Sequence, residues 1–257
     1  MVELFDTHCH LSDTDFDQDR DAVLKRMAEK GVTRCAVIGY DLASSQTALQ
    51  FARETEGVCC AVGVHPEHAD TLTPEVLEAL RNLASSPEVR AIGEIGMDLH
   101  WDTNPSAEIQ KRACIEQMEL AHELGLPVSF HIRDAHMDMI NLLKEHQSIL
   151  SGGIMHCFSG SWEIAREYLK LGFYISFAGP VTFRKAPRLQ EAARNVPIER
   201  LLIETDSPYM APEPVRGRRN EPGNVRYIAV KIAELRGIPL EELAEQTTQN
   251  ARNLFGF

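Results

Sequence analysis

Eight short apolar runs punctuate this chain, and helical patterns fill the gaps between them. The runs are Leu4–Thr7, Thr33–Ile38, Val58–Val64, Val89–Gly93, Pro127–Phe130, Gly153–Met155, Phe173–Phe177 and Leu201–Glu204. Most are continuous rather than alternating in polarity, the pattern of parallel strands covered on both faces. Eight strand–helix alternations with no long linker predict an α/β chain built as a single (β/α)8 TIM barrel, with residues 1–257 forming one domain. The rival is a doubly wound open sheet, which gathers its ligands at one crevice rather than around a ring.

The helices carry their own signals. Thr73-Pro74-Glu75 supplies an N-cap, a first-turn proline and a favourable carboxylate. Ser106 caps a helix bearing Cys114, Met118, Ala121 and Leu124, and Gly125 ends it. Asp134 and Ser161 are expected to cap the next two. Val225, Ile228, Ile232 and Leu235 mark another amphipathic helix, and residues 240–254 a last one. The longest irregular segment, Ser207–Gly223, follows the eighth strand and is expected over the barrel mouth, where long loops serve function.

Five of the runs lead into six metal-ligating side chains: His8 and His10 in FDTHCH, Glu94 in AIGEIGMD, His131 in FHIRD, His156 in MHCFSG and Asp206 in ETDSP. In a parallel barrel these positions converge at the C-terminal ends of the strands. Strand alternation puts His8 and His10 on one side, and turns Cys9 and Cys157 away from the face their neighbours use. Four imidazoles and two carboxylates suit divalent ions such as zinc or manganese, and six such groups suffice for two ions. Glu94, between Gly93 and Gly96, is placed to bridge them.

That set predicts a hydrolase. A bound ion lowers the pKa of water from 15.7 to about 7, and a second ion offsets charge on the attacked group. Asp206 is the expected general base, and Glu204, one layer deeper, is expected to orient the water or Asp206. Asp6 shares the parity of the two histidines and is expected to steady a ring. Asp98 reads as an outer partner or turn residue. His65 in VGVHP and Arg133 in HIRD are candidate substrate contacts.

Composition narrows the partners. The net charge of −12 argues against broad, charge-driven nucleic-acid binding, though not against a few phosphates held in a metal-loaded pocket. No apolar stretch reaches membrane-spanning length, and the start runs straight into the first strand, so a cytoplasmic location and no membrane partner are expected. The six cysteines form no CxxC pair and read as buried, reduced thiols. No stable protein partner is implied.

FDTHCHL, GVHP, AIGEIGMD, FHIRD, MHCFSG, LLIETDSPY and RRNEP together resemble the TatD family of metal-dependent deoxyribonucleases, amidohydrolase-like TIM barrels, over essentially the whole chain. The resemblance implies a 3′–5′ exonuclease acting on DNA ends with two divalent ions (zinc, manganese or magnesium). By the same resemblance His8 and His10 hold one ion, His131 and His156 the other, Glu94 is shared, and Asp206 is ligand and base. Arg218, Arg219, Asn220 and Glu221 match a loop that closes the site from the side, so Arg218 and Arg219, with Arg216 nearby, are candidate substrate contacts. Met97 and Leu99-His100 depart from the commoner leucine and aromatic residues at those places, which bears on substrate preference. The alternative function is hydrolysis of amide, lactone or ester bonds, aminoacyl-tRNA esters included, on the same metal site.

Overall fold

Each apolar run forms a strand in the computed structural model, which describes residues 2–257. In chain order the elements are β1 (Leu4–Cys9), α1 (Arg20–Glu29), β2 (Val32–Ile38), α2 (Leu42–Glu54), β3 (Val58–Val62), α3 (Pro74–Ala84), β4 (Val89–Asp98) and α4 (Ala107–Leu124). They continue with β5 (Val128–Arg133), α5 (His136–Glu145), β6 (Gly153–Met155), α6 (Trp162–Lys170), β7 (Tyr174–Phe177), α7 (Pro187–Asn195), β8 (Leu201–Ile203), α8 (Val225–Arg236) and α9 (Leu240–Phe255). The strands lie in one sheet in the order β1 to β8. The pairs β1–β2, β3–β4, β4–β5, β5–β6 and β7–β8 are parallel.

Beyond β8 the chain runs beside β1. The Asp206 N–H donates to the His8 carbonyl at 2.9 Å, and the His10 N–H to the Ser207 carbonyl at 2.7 Å. Cys9 and Ser207 form a parallel bridge. This ladder brings the last strand back to the first, which makes the fold a (β/α)8 barrel rather than an open sheet.

The chain divides into two compact units. The first comprises the chain up to Val37, Cys157–Arg166 and Tyr174–Phe257, and so holds β1, β7 and β8 with α1, α7, α8 and α9. There Phe5 of β1 stacks on Phe255 of α9, ring centroids 5.6 Å apart, and each buried aromatic contributes about 1.5–3 kcal/mol. The second comprises Ile38–His156 and Glu167–Phe173, and holds β3 to β6 with α2 to α5. Its core includes Val62, Ile92, Ile95, Met118, Phe130 and Leu143, all buried. No helix among the described residues is long and apolar enough to cross a membrane.

Several limits differ from the sequence expectation. β4 does not stop at Gly93 but continues to Asp98. Gly93 and Gly96 adopt φ of +146° and +141°, and a Cβ on Gly96 would lie 2.1 Å from the His131 carbonyl oxygen. Glycine thus lets β4 press against β5 with a register shift between Ile92 and Ile95. Because β1 and β5 are also longer than expected, His8, Glu94 and His131 lie within strands, while His65, His156 and Asp206 follow theirs. Thr73 and Ser106 cap α3 and α4 as expected, and Gly125 ends α4 in the left-handed region. Asp134 does not cap α5: Ala135 holds the cap position, and the Asp134 carboxylate sits 2.7 Å from His100 Nδ1.

Candidate metal centre

In the first unit, β1 supplies His8, the residue just after the strand is His10, and the turn after β8 supplies Asp206. All three are buried. The Nε2 atoms of His8 and His10 lie 3.7 and 3.6 Å from Asp206 Oδ1. Those separations exceed a hydrogen bond but match two ligands of one ion, because bonds of about 2.0–2.2 Å in a tetrahedron put neighbouring ligand atoms roughly 3.3–3.6 Å apart. Two imidazoles and a carboxylate therefore fit a divalent ion. Asp206 reaches its position through a φ of +55°, a conformation that costs an L-residue about 1–2 kcal/mol. Cys9 turns away, its thiol 3.5 Å from the Ala36 carbonyl.

Asp6 does not steady a ring. Its carboxylate accepts the Thr205 N–H at 2.8 Å and the Thr205 hydroxyl at 2.5 Å. Burial pushes this carboxyl well above the usual carboxylate range, with nearby Glu204 adding to the rise and the Thr205 bonds opposing it. Asp6 thus anchors the residue before Asp206. Glu204 accepts the backbone N–H of Cys157, a residue at φ +42°, so it fixes the turn that follows His156.

In the second unit three imidazoles surround one oxygen of Glu94. His131 Nδ1 lies 2.8 Å from Glu94 Oε1, His156 Nε2 2.9 Å and His65 Nε2 3.6 Å. His131 Nε2 is held 3.1 Å from Asp98 Oδ2. Both His131 ring nitrogens thus face carboxylates, and although burial opposes a charged ring, the hydrogen bonds to Asp98 and Glu94 outweigh it and raise the pKa. Glu94 and these imidazoles would hold a divalent ion, with Asp98 orienting the His131 ring from behind. This donor set fits a metal.

His65 differs from its neighbours. Its Nδ1 accepts the Glu67 N–H at 3.2 Å, and burial, against the pull of Glu94, lowers its pKa to about 3. A neutral ring accepting at Nδ1 carries its proton at Nε2. His65 therefore faces Glu94 as a donor.

Two buried glutamines on α4 hold the strand ends. Gln110 bonds both the N–H and the carbonyl of Asp98, at 2.8 and 2.9 Å. Gln117 does the same for Val64, the residue before His65, at 2.7 and 3.1 Å. Sequence reasoning missed both; the signal was a pair of amides two helical turns apart on an otherwise apolar face.

A model of the family described as TatD related DNase matches residues 5–256. The chain belongs to the TatD family. It is 45% identical to YabD of Bacillus subtilis, named a metal-dependent hydrolase, over 98% of both chains. It is 39% identical to the 3′-5′ ssDNA/RNA exonuclease TatD of Erwinia amylovora, covering 98% of this chain and 100% of that one. Among solved structures, the TatD homolog YjjV of Escherichia coli superposes with a TM-score of 0.93 at 32% identity, over 99% and 98% of the two chains. The barrel is thus that of TatD proteins, and the chain is a metal-dependent hydrolase.

The arginines expected to contact substrate part company in this TatD-family chain. Arg133 ends β5 with its guanidinium over the Trp101 ring, 5.2 Å from the centroid. Arg218 is exposed. Arg219, by contrast, is committed: it bonds both oxygens of Asp19 at 2.8 Å and the Asp15 carbonyl at 2.6 Å, and lies over Phe16 at 4.6 Å. Its fork is filled by a carboxylate, which removes it as a free phosphate ligand. Asn220 is buried and bonds the Thr205 and Tyr209 carbonyls, at 2.9 and 2.7 Å, pinning the long loop to the turn that bears Asp206.

Proposed function

We propose that the protein is a metal-dependent exonuclease that trims single-stranded nucleic acid, DNA foremost, by hydrolysing terminal phosphodiester bonds with two divalent ions. The carrying observation is the pair of imidazole–carboxylate clusters, His8–His10–Asp206 and Glu94 with His65, His131 and His156, buried apart from the half-buried His131. The relative whose name specifies a substrate specifies nucleic acid, so amide, lactone or ester hydrolysis is the less favoured reading. Divalent ions supply water of lowered pKa and offset phosphate charge when bound; zinc or manganese suits these imidazoles, with magnesium an option for the carboxylates.

The chain's own residues have distinct parts. Asp206, beside His8 and His10, receives the proton of the attacking water. Glu204 acts at a distance, by holding the turn after His156. His65, neutral with Nε2–H toward the Glu94 cluster, donates to a phosphoryl oxygen held there. Arg133 and Arg218 take neighbouring phosphates. With a net charge of −12, such local contacts replace a broad basic surface. The family match over 5–256 supports one hydrolase domain across 1–257, and we place its action in the cytoplasm without a stable protein partner.

The test is end-labelled single-stranded DNA with manganese or magnesium. Shortening from one end is expected, and Asp206→Asn lowers the rate by about 10²–10⁴-fold with the fold intact. Intact DNA alongside turnover of a lactone or amide panel overturns the reading.

A further inference from the structure

We propose that Trp101, with Arg133 against it, is a stacking platform for a nucleobase of a single-stranded nucleic acid end, beside the Glu94 cluster. The proposal rests on the exonuclease reading and adds what the enzyme grips other than phosphate.

Trp101 lies in the turn leaving β4, and 50% of its surface is exposed. The turn is firmly fixed. The Leu99 N–H bonds the Arg133 carbonyl at 3.0 Å, and the Asn104 N–H bonds the Trp101 carbonyl at 3.1 Å. The Asn104 amide donates to the Asp98 carbonyl at 3.2 Å. His100 meets the indole edge-on, centroids 4.6 Å apart at 83°, and its own ring is held by Asp134 at 2.7 Å. Arg133 lies across the indole and is paired in register with Asp98. Asp98 in turn bonds His131. An exposed, immobilised aromatic ring thus lies against a cation whose strand partner, Asp98, bonds a candidate metal ligand.

That arrangement matches a nucleotide, whose flat base and anionic phosphate are covalently linked. A base stacked on a protein aromatic contributes about 1–3 kcal/mol regardless of its identity. A phosphate oxygen pairs with guanidinium through charge-assisted bonds. The strongly acidic chain gains little from diffuse attraction, so stacking carries a large share of affinity. Bases inside a duplex present no free face, which selects single strands and frayed ends.

The experiment uses a fluorescein-labelled single-stranded oligonucleotide and its abasic counterpart, binding the full-length protein in chelator so that no turnover occurs. Trp101→Ala is expected to weaken binding of the normal oligonucleotide about ten- to hundred-fold, whereas Trp101→Phe stays within a few-fold of the parent. The abasic strand binds the parent as weakly as the normal strand binds Trp101→Ala. With manganese restored, the alanine variant raises KM and leaves kcat close to the parent's. In a Trp162→Phe background, which leaves Trp101 the one tryptophan of the chain's two, the normal strand quenches its emission. Equal binding of normal and abasic strands, or an unchanged Trp101→Ala, overturns the platform while leaving the nuclease standing. A parent that neither binds nor shortens any strand overturns the exonuclease reading and the platform with it.

Discussion

The carboxylate of Asp6 accepts both the backbone N–H and the hydroxyl of Thr205, a residue 199 positions away and immediately before Asp206. Neither partner touches the candidate ion, yet together they fix where Asp206 begins. Asp6→Ala leaves the Thr205 N–H buried without an acceptor, at about 1–3 kcal/mol, and leaves the Thr205 hydroxyl only its bond to the Ser207 hydroxyl. We expect a loss of roughly 1–3 kcal/mol by urea denaturation and a weakened metal site at His8, His10 and Asp206. Asp6→Asn keeps one acceptor and should lose visibly less. Equal losses for the two variants would remove the special part given to this carboxylate.

Gly96 admits no side chain. A Cβ there meets the His131 carbonyl oxygen at 2.1 Å, and φ is +141°. Gly96→Ala should therefore cost about 3 kcal/mol or more, and should displace His131 enough to lower metal content. Thermal unfolding with metal analysis checks both. A parental Tm would mean that β4 and β5 are not pressed together here.

Arg218 and Arg219 should respond in opposite ways. Arg218→Ala raises KM for DNA and lowers the salt dependence of binding. Arg219→Ala leaves KM alone and loosens the contact with Asp19. The Arg219 bonds hold the Asp19 carboxyl below the usual carboxylate range, with Arg26 adding to them. A depressed carboxylate stabilises the fold above its ordinary pKa, near 4, and that stabilisation disappears as pH falls through the depressed value. The stability gap between Arg219→Ala and the parent should accordingly be present at pH 7 and shrink below pH 4. A gap that grows on acidification contradicts this.

Burial raises the thiols of Cys60 and Cys114 to about 12. In the unfolded chain a thiol ionises near 8.5, so between roughly pH 8.5 and 12 the unfolded state binds fewer protons than the native state. Stability should fall across that window by up to about 1.4 kcal/mol per pH unit for each thiol. Cys60→Ala with Cys114→Ala should flatten the alkaline limb even though it lowers stability at pH 7. Denaturation midpoints from pH 8 to 11 provide the measurement; an unchanged slope would assign the alkaline loss to other groups.

The barrel was legible because apolar runs and helical stripes alternate without interruption, and the ligands because imidazoles and carboxylates rarely close five such runs by accident. What the sequence concealed is reciprocal placement. Gly93 and Gly96 allow β4 to reach Asp98, which decides between the two readings of Asp98: it is an outer partner, facing His131. His65, read as a substrate contact, shares the Glu94 cluster, and only the bond from Glu67 shows it to be a donor. Arg219 and Asn220 match the family loop equally well in one dimension. In three, one is consumed by Asp19 and the other by backbone carbonyls. Trp101 carries no sequence signal, because one tryptophan in a polar turn has no periodicity.

The bridge between Cys9 and Ser207 ties an early-made strand to a late-made turn. During synthesis His8 and His10 emerge first and must wait for nearly the entire polypeptide before Asp206 joins them. A ribosome stalled anywhere short of that aspartate releases a product with two imidazoles and no acid between them. The His8–His10–Asp206 set is thereby completed only once the turn after the last strand is made.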